Sequence, residues 1–159
     1  MIPFASIDHE RFMREALKEA ENALERGDRP IGAVIVHDGR IVGRASNRFM
    51  TGRSCLAHAE LNALMACAPY LYEYGSKCII YSTVEPCVMC LGAIVQTNIR
   101  NVVFGMPDNY IQTRKAIGAV EYLKQRVHNY LGGVLEDECV ELYKRYSEQE
   151  ASLMLTGRR

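Results

Sequence analysis

The chain lacks a net charge, a long hydrophobic run and a recognisable secretory signal. Nineteen basic and nineteen acidic residues cancel, which argues against the broad positive surface of a nonspecific nucleic-acid binder. No apolar run approaches the roughly 18 residues that a membrane span needs. The first residues, 1–6, have neither a basic region nor a long apolar core. We therefore expect a cytoplasmic protein that has no membrane partner.

The length of 159 residues corresponds to one ordinary domain. A chain of this size can bury roughly 68–70% of its unfolded surface, so it needs neither a metal nor a disulfide merely to stay folded. We predict a single domain over residues 1–159.

Six cysteines are present. Without a secretory signal we expect a reducing environment, where metal binding is the usual reason for a C-x-x-C motif. Four cysteines lie outside that motif and are predicted to be plain thiols: Cys55, Cys67, Cys78 and Cys139. Apolar neighbours indicate that Cys67 and Cys78 are buried packing residues.

Apolar periodicity and turn residues predict alternating helices and strands. Ser6, with Asp8 and Glu10 after it, marks the first helix start, and Gly27 its end. Later helices are predicted at about 57–67, 87–96, 111–127 and 136–149. Strands are predicted at 31–36, 40–44, 78–83, 101–104 and 130–131. A strand, helix and strand in so short a span imply a parallel pair, so we expect a three-layer α/β/α sandwich around a mixed, mainly parallel sheet.

Two short motifs in the middle of the chain carry candidate metal ligands: His58-Ala59-Glu60 and Pro86-Cys87-Val88-Met89-Cys90. Cys87 and Cys90 are three residues apart, which places both sulfurs on one face of a helix in its first turn. The positive end of that helix helps to hold both as thiolates. One imidazole and two thiolates leave an open position on tetrahedral zinc, which is typical of catalytic sites. The pattern predicts a catalytic zinc bound by His58, Cys87 and Cys90.

Glu60 lies two residues after the histidine, and residues at this spacing do not share a helix face. The two side chains can converge if the end of their helix points at the metal. We therefore expect two helix N-termini that face one zinc ion. In such a site Glu60 is the catalytic proton carrier for a zinc-activated water.

Two other interpretations of these motifs stay open. A closed structural zinc site needs a fourth ligand, and Cys55 is the nearest candidate. Alternatively, the C-x-x-C motif forms a thioredoxin-like redox pair, although this leaves His58 and Glu60 without a role.

The combined pattern, H-x-E followed by P-C-x-x-C, is the known signature of zinc deaminases that act on nucleobases. Over about residues 31–146 the chain resembles the cytidine deaminase-like superfamily. Within it, the likeness is to the branch of bacterial tRNA adenosine deaminases, guanine deaminases and fungal-type cytosine deaminases. Four segments carry the resemblance: Pro30–Val34, Leu56–Glu60, Glu85–Cys90 and Val103–Gly105.

This resemblance implies a hydrolase that releases ammonia from an amino-substituted heterocycle, with one tightly bound zinc per chain. It also implies a homodimer or larger assembly, with the metal-bearing helices near a subunit contact. Asn47, eleven residues before His58, takes the position of a family asparagine that hydrogen-bonds the substrate ring; its alternative role is a turn residue in the left-handed conformation. Backbone groups around Ala59 and Glu85 are implied to bind the polar edge of the heterocycle.

The resemblance is mixed outside the metal motifs. The loop Met106–Thr113 contains Asp108, as tRNA adenosine deaminases do, but it lacks their lysine and Gly-Ala. Gly133–Cys139 resembles the same enzymes, whereas Asn47–Gly52 is closer to the fungal-type cytosine deaminases.

For the substrate we expect a small free heterocycle such as cytosine or guanine. The reasons are that the chain has no net charge and that the loop Met106–Thr113 departs from the pattern of tRNA adenosine deaminases. Phe49 or Tyr110 is a candidate to stack on the ring, and ordinary packing is the alternative for each. A catalytically silent zinc scaffold is a further hypothesis, but the presence of Glu60 argues against it.

The main alternative substrate is a tRNA adenosine that flips into the same pocket. Four arginines are predicted near its mouth and are candidates to hold phosphates: Arg40, Arg44, Arg48 and Arg53. They are equally suited to one phosphate of a free nucleotide, or to a solvated surface without a binding role.

Overall fold

The computed structural model describes residues 3–158, and five strands in this part of the chain form one sheet. They are β1 (Gly32–His37), β2 (Arg40–Ser46), β3 (Ile79–Val84), β4 (Asn101–Met106) and β5 (Asn129–Leu131), in the order β2-β1-β3-β4-β5. β1 is antiparallel to both β2 and β3, whereas β3–β4 and β4–β5 pair in parallel. Strands β2 to β5 therefore share one direction, and the predicted mixed, mainly parallel sheet is confirmed.

Alternation of apolar side chains along the strands divides the interior into two layers. In β1, Val34 and Val36 contribute to one apolar cluster, while Ala33 and Ile35 contribute to the other. Successive side chains of a strand point to opposite faces, so a strand that is apolar throughout needs cover on both sides. The predicted three-layer sandwich is confirmed because helices supply that cover on each face.

Helices of the first face are α1 (His9–Arg26), α7 (Glu136–Tyr146) and α8 (Glu148–Thr156). Helices of the second face are α2 (Ala59–Ala66), α3 (Ala68–Tyr74), α4 (Val88–Gln96), α5 (Thr113–Ala119) and α6 (Glu121–Arg126). No helix in the described residues is long and apolar enough to span a membrane.

The N-cap of α1 is Asp8, whose carboxylate accepts a hydrogen bond from the backbone N–H of Arg11 at 3.1 Å. The prediction that Ser6 begins this helix is therefore wrong, because Ser6 lies in a preceding 3₁₀ turn, Phe4–Ser6. Gly27 ends the helix as predicted, at a φ of 89° that favours glycine.

The predicted helix at 57–67 begins at Ala59 and ends at Ala66. Pro69 follows in the first turn of α3, where its missing N–H costs nothing. The segment predicted as one helix over 111–127 is two helices, because Val120 adopts an extended conformation.

The predicted closing helix also ends early, at Tyr146, because Ser147 is extended with a φ of −160°. The Ser147 hydroxyl then accepts a hydrogen bond from the backbone N–H of Glu150 and caps α8. Ser147 and Glu150 have the S-x-x-E spacing of a capping box, a signal in the sequence for the start of α8.

Candidate metal and catalytic site

The candidate site lies at one edge of the sheet, where β2, β3 and β4 reach their carboxyl ends. Asn47 follows β2, Glu85 follows β3 and Pro107 follows β4. The crevice outside the carboxyl ends of strands is the usual location of ligand sites in open α/β sheets. The helices α2 and α4 both begin at this edge.

The three predicted metal ligands are brought together by the starts of these two helices. His58 is the N-cap of α2 and Cys87 is the N-cap of α4, while Cys90 lies three residues into α4. The Nδ1 atom of His58 is 3.6 Å from the Sγ atom of Cys87 and 3.5 Å from that of Cys90. The expected arrangement, with two helix N-termini directed at one point, is therefore present.

These separations fit a tetrahedral zinc ion. With Zn–S bonds of about 2.3 Å and Zn–N bonds of about 2.0–2.1 Å, a nitrogen and a sulfur ligand lie about 3.6 Å apart. Among the described residues the group of potential metal ligands consists of His58, Cys87 and Cys90, with all ligand atoms within 4.8 Å of one another. The donor set and its spacing therefore match zinc with a position left for another ligand.

The electrostatics of the thiol pair favour one thiolate. A hydrogen bond from the Cys90 thiol is the largest influence that lowers the pKa of Cys87, and His58 reinforces it, so that this pKa falls to about 4. The same hydrogen bond, together with burial, raises the pKa of Cys90. The hydrogen bond to Cys87 in turn raises the pKa of His58. The surroundings of Cys87 therefore favour its thiolate, the form that binds a cation.

Cys55 does not support the closed structural site. Its side chain is exposed, and it lies outside the metal-ligand group of the described residues. A redox pair, for its part, does not require the His58 imidazole that contacts both sulfurs.

Glu60 is buried, with 4% of its surface exposed, next to the three ligands. Its Oε2 atom lies 3.6 Å from the Sγ atom of Cys90, and its Oε1 atom accepts a hydrogen bond from the Ser82 hydroxyl at 3.4 Å. Burial raises the pKa of this carboxyl, because a low-dielectric environment disfavours the charged form. A carboxyl with a raised pKa is better suited to general acid–base catalysis than an ordinary glutamate is.

Asn47 is buried at the start of the loop that follows β2. Its Oδ1 atom accepts a hydrogen bond from the backbone N–H of Phe49 at 2.9 Å, so Nδ2 is the group left to donate. Asn47 has a turn role, but it is not among the described residues with positive φ, so the left-handed alternative is wrong. The Phe49 ring lies 6.4 Å from the His58 ring.

The buried carboxylate of Glu85, at the end of β3, binds residues of β5 and of the loop after β4. Oε1 accepts a hydrogen bond from the Tyr130 hydroxyl at 3.0 Å, and Oε2 accepts one from the backbone N–H of Asp108 at 3.0 Å. Asp108 in turn accepts hydrogen bonds from the N–H groups of Tyr110 and Ile111. Burial raises the pKa of Asp108, and the nearby Cys87 raises it further. Asp108 therefore shapes the loop beside the metal ligands, with the half-exposed Tyr110 on the same turn.

The four arginines predicted at the mouth do not form one cluster. Arg48 and Arg53 lie exposed on the loop after β2, as expected. Arg40 begins β2 at the opposite edge of the sheet, and Arg44 binds Glu15 and Glu19 of α1 at 3.4 Å each. The prediction is wrong for Arg40, because it lies at the other end of β2, and for Arg44, because its guanidinium pairs with the carboxylates of α1.

Several side chains that build the site were not predicted: Asp28, Ser82 and Tyr130. The buried Asp28 carboxylate accepts hydrogen bonds from the N–H groups of Met50 and Thr51 and from the Thr51 hydroxyl. A single acidic residue beside Gly27 carries no sequence signal for burial. Tyr130 was placed only in a short strand, and its partner Glu85 is 45 residues away in sequence.

Comparison with known proteins shows matches along most of the chain. Residues 6–106 match the family described as the cytidine and deoxycytidylate deaminase zinc-binding region. The tRNA-specific adenosine deaminase of Bacillus subtilis (strain 168) is 37% identical over 135 residues, which cover 82% of this chain and 83% of that protein.

Solved structures of deaminases also resemble this chain in fold. A chain from a study of A-to-I editing by tRNA:A34 deaminases at the wobble position is 34% identical, with a TM-score of 0.73 over 83% of this chain and 98% of that one. A guanine deaminase from Nitrosomonas europaea is 25% identical, with a TM-score of 0.72 over 87% of this chain and 84% of that one.

Proposed function

The chain belongs to the cytidine and deoxycytidylate deaminase zinc-binding family, and from that premise we propose that this zinc-dependent hydrolase converts adenosine to inosine in tRNA. The observation that carries the proposal is its 37% identity to a tRNA-specific adenosine deaminase along most of both chains. This substrate replaces the small free heterocycle expected from the neutral composition. Net charge sums the whole surface, so it does not exclude a local phosphate-binding region.

The reaction replaces the C6 amino group of adenine by oxygen and releases ammonia. A zinc ion held by His58, Cys87 and Cys90 would supply a water of lowered pKa for attack on C6. Glu60 would take a proton from that water and deliver it to the ring nitrogen. It would then carry the proton of the new C6 hydroxyl to the departing amine, so its buried carboxyl serves as the shuttle in both directions.

The residues around the ring would orient the adenine. Asn47 can donate from Nδ2, because its Oδ1 atom is bound to the Phe49 N–H. Ala59, the first residue of α2, has an N–H without a partner inside the helix. The Glu85 N–H already binds the Met106 carbonyl at 2.8 Å, so its own carbonyl is the backbone group left for substrate. Phe49 would form a wall of the pocket.

Space for a polynucleotide exists beside this pocket. A cavity of about 750 Å³ adjoins Glu85 and Asp108, and its lining includes Arg114, Lys115 and Arg158. The lining also includes Glu136, so acidic and basic side chains are mixed there. A free base would not need this additional space, whereas nucleotides next to a flipped adenosine would. A tRNA substrate also keeps the proposed place of action in the cytoplasm.

A dimer is part of the proposal. Four exposed apolar side chains lie on or just before α2 and α4: Leu56, Met65, Val88 and Met89. Exposed apolar side chains on the metal-bearing helices are suited to a contact between two copies of the chain. Sedimentation at micromolar concentration should give twice the monomer mass, and Met65→Glu with Val88→Glu should give the monomer. A monomeric parent protein would contradict this part.

The substrate is tested by measuring inosine in a tRNA panel and ammonia from free adenine, adenosine, guanine and cytosine. Glu60→Gln serves as the blank. We expect turnover of tRNA alone; more efficient turnover of free guanine or cytosine would overturn the proposal.

The phosphate contacts are tested separately through salt dependence. Replacement of Arg48 by alanine should weaken tRNA binding and reduce the slope of log Kd against log salt by about 1. Arg40→Ala is the matched control, because Arg40 lies at the other end of β2. Equal effects of Arg48→Ala and Arg40→Ala on tRNA binding would contradict a phosphate contact made by Arg48 at the mouth of the pocket.

A further inference from the structure

Two loops border the candidate site: the first mouth loop, residues 47–54, and the second mouth loop, residues 106–112. The C-terminal helix α8 is linked to both, although it contains none of the predicted site residues. Its partners are Arg29 on one side and Asn109 on the other.

On the first side, Glu150 of α8 holds Arg29. The Arg29 Nε atom donates to Glu150 Oε2 at 3.0 Å, and Nη2 donates to Oε1 at 3.5 Å. The Tyr143 hydroxyl donates to the same Oε2 atom at 3.0 Å. The Glu150 carboxylate is therefore held by two partners from different elements.

Arg29 connects this pair to the substrate pocket through an aromatic ring. Its guanidinium carbon lies 4.9 Å from the centroid of the Phe49 ring, a distance typical of a cation–π contact. The same ring lies 6.4 Å from the His58 ring. Phe49 thus has contacts with Arg29 and with the metal ligand His58.

On the second side, Asn109 binds the last turn of α8. Its backbone N–H donates to the Met154 carbonyl at 2.7 Å, and its Nδ2 atom donates to the Leu155 carbonyl at 2.7 Å. The last carbonyls of a helix have no partner within the helix, so Asn109 supplies two of the hydrogen bonds that the end of α8 requires.

The backbone of the first mouth loop has its own anchor. Asp28 accepts two N–H groups and one hydroxyl from Met50 and Thr51. Loss of the Arg29 contact therefore leaves the loop backbone in place and releases the Phe49 ring.

We propose that α8 sets the position of the Phe49 ring from outside the pocket, with Glu150 and Arg29 as positioning residues, while Asn109 ties the second mouth loop to the same helix. The ring must lie correctly before a flat heterocycle can stack, so these residues act on substrate binding and not on proton transfer. The effect on tRNA affinity rests on the function proposed above, whereas the position of the ring does not.

The position of the ring can be measured without any substrate. The chain contains no tryptophan, so Phe49→Trp introduces a single fluorescent reporter at this place. Adding Glu150→Gln should increase quenching of this tryptophan by acrylamide about twofold or more, since Arg29 without its carboxylate partner holds the ring less well. Tyr143→Phe is the matched control, because it removes one hydrogen bond to Glu150 and leaves the Arg29 pair. Equal quenching in the Glu150→Gln and parent backgrounds would overturn the proposal.

Kinetics with the natural Phe49 provide the second readout. In Glu150→Gln and Arg29→Met, KM for tRNA should rise about tenfold while kcat stays within about twofold, the pattern of lost ground-state binding. Zinc content should not change. Arg29→Lys keeps a cation near the ring and should recover part of the loss. A fall in kcat at unchanged KM would overturn the positioning role. An inactive parent enzyme would contradict the tRNA function but would leave the fluorescence result valid.

Discussion

The Oε2 atom of Glu60 lies 3.6 Å from the Sγ atom of Cys90. This contact joins the N-terminal turns of α2 and α4, and it places the candidate proton carrier beside a candidate metal ligand. Both side chains are buried, so little water screens the interaction between them. The same burial raises the pKa of Glu60.

Glu60→Gln should reduce deamination by about 10²–10⁴-fold or more, because an amide cannot carry the proton. Zinc should stay bound, since the three ligand side chains are unchanged. The check is inosine formation alongside zinc content by atomic absorption. Activity close to that of the parent enzyme would contradict the role of Glu60.

Cys87→Ser should remove the metal and the activity together. Loss of a thiolate ligand should lower zinc from about one ion per chain to below about one tenth after dialysis, since even outer partners of metal ligands change affinity about 10–100-fold. Cys55→Ser is the matched control, because this exposed cysteine lies outside the ligand group. Zinc loss in Cys55→Ser would support the hypothesis of a closed structural site with Cys55 as the fourth ligand.

Glu150→Gln should make stability less dependent on pH. Burial of Glu150 opposes its ionisation, but the hydrogen bonds from Arg29 and Tyr143 prevail and lower its pKa. A lowered folded pKa adds stability above the unfolded value of about 4.3, and this contribution is lost as pH falls through the folded value.

The free energy of unfolding of the parent should therefore exceed that of Glu150→Gln by its largest amount at about pH 6. This difference should shrink below about pH 4. It should not exceed about 1 kcal/mol, because the half-exposed pair is screened by solvent. Urea unfolding at a series of pH values measures it. A difference that grows toward low pH would contradict the assignment.

Gly32→Ala should destabilise the fold by about 3 kcal/mol, because overpacking at a backbone contact cannot relax easily. A Cβ atom at Gly32 would overlap the Ala16 carbonyl oxygen and the Ala20 nitrogen of α1. Gly118→Ala is the control. Nothing lies within 4 Å of its added Cβ, and alanine should raise the free energy of unfolding by about 0.4–1 kcal/mol. Thermal unfolding of both variants measures the change in melting temperature. Equal changes in the two variants would show that α1 moves to accommodate the methyl group added at Gly32.

Local sequence patterns predicted most of the elements but not where the chain breaks between them. Alternation and turn residues located all five strands seen in residues 3–158. The extended residues Val120 and Ser147 were missed, because one residue with altered dihedrals scarcely changes an apolar pattern. Packing and capping decide such breaks, as the hydroxyl of Ser147 shows at α8.

The candidate metal ligands could be predicted from sequence because chemistry restricts them. Zinc accepts few side-chain types, and a helix start limits their spacing, so His58, Cys87 and Cys90 were recognisable before the fold was known. The substrate could not be identified in this way. Contacts with a flat ring depend on loop shape, and here Asp28, Glu85 and Tyr130 shape the loops across long sequence separations.

The identity of the metal-binding side chains was thus a property of the sequence, whereas their convergence and surroundings were properties of the tertiary structure. Arg40 and Arg48 illustrate the difference: they are eight residues apart in sequence, but Arg40 begins β2 and Arg48 lies on the loop that follows its other end. Arg29 and Glu150 are 121 residues apart and form a hydrogen-bonded ion pair. Spacing along a chain determines which side chains share a helix turn or a strand face, but only packing of helices on the sheet determines which distant groups meet.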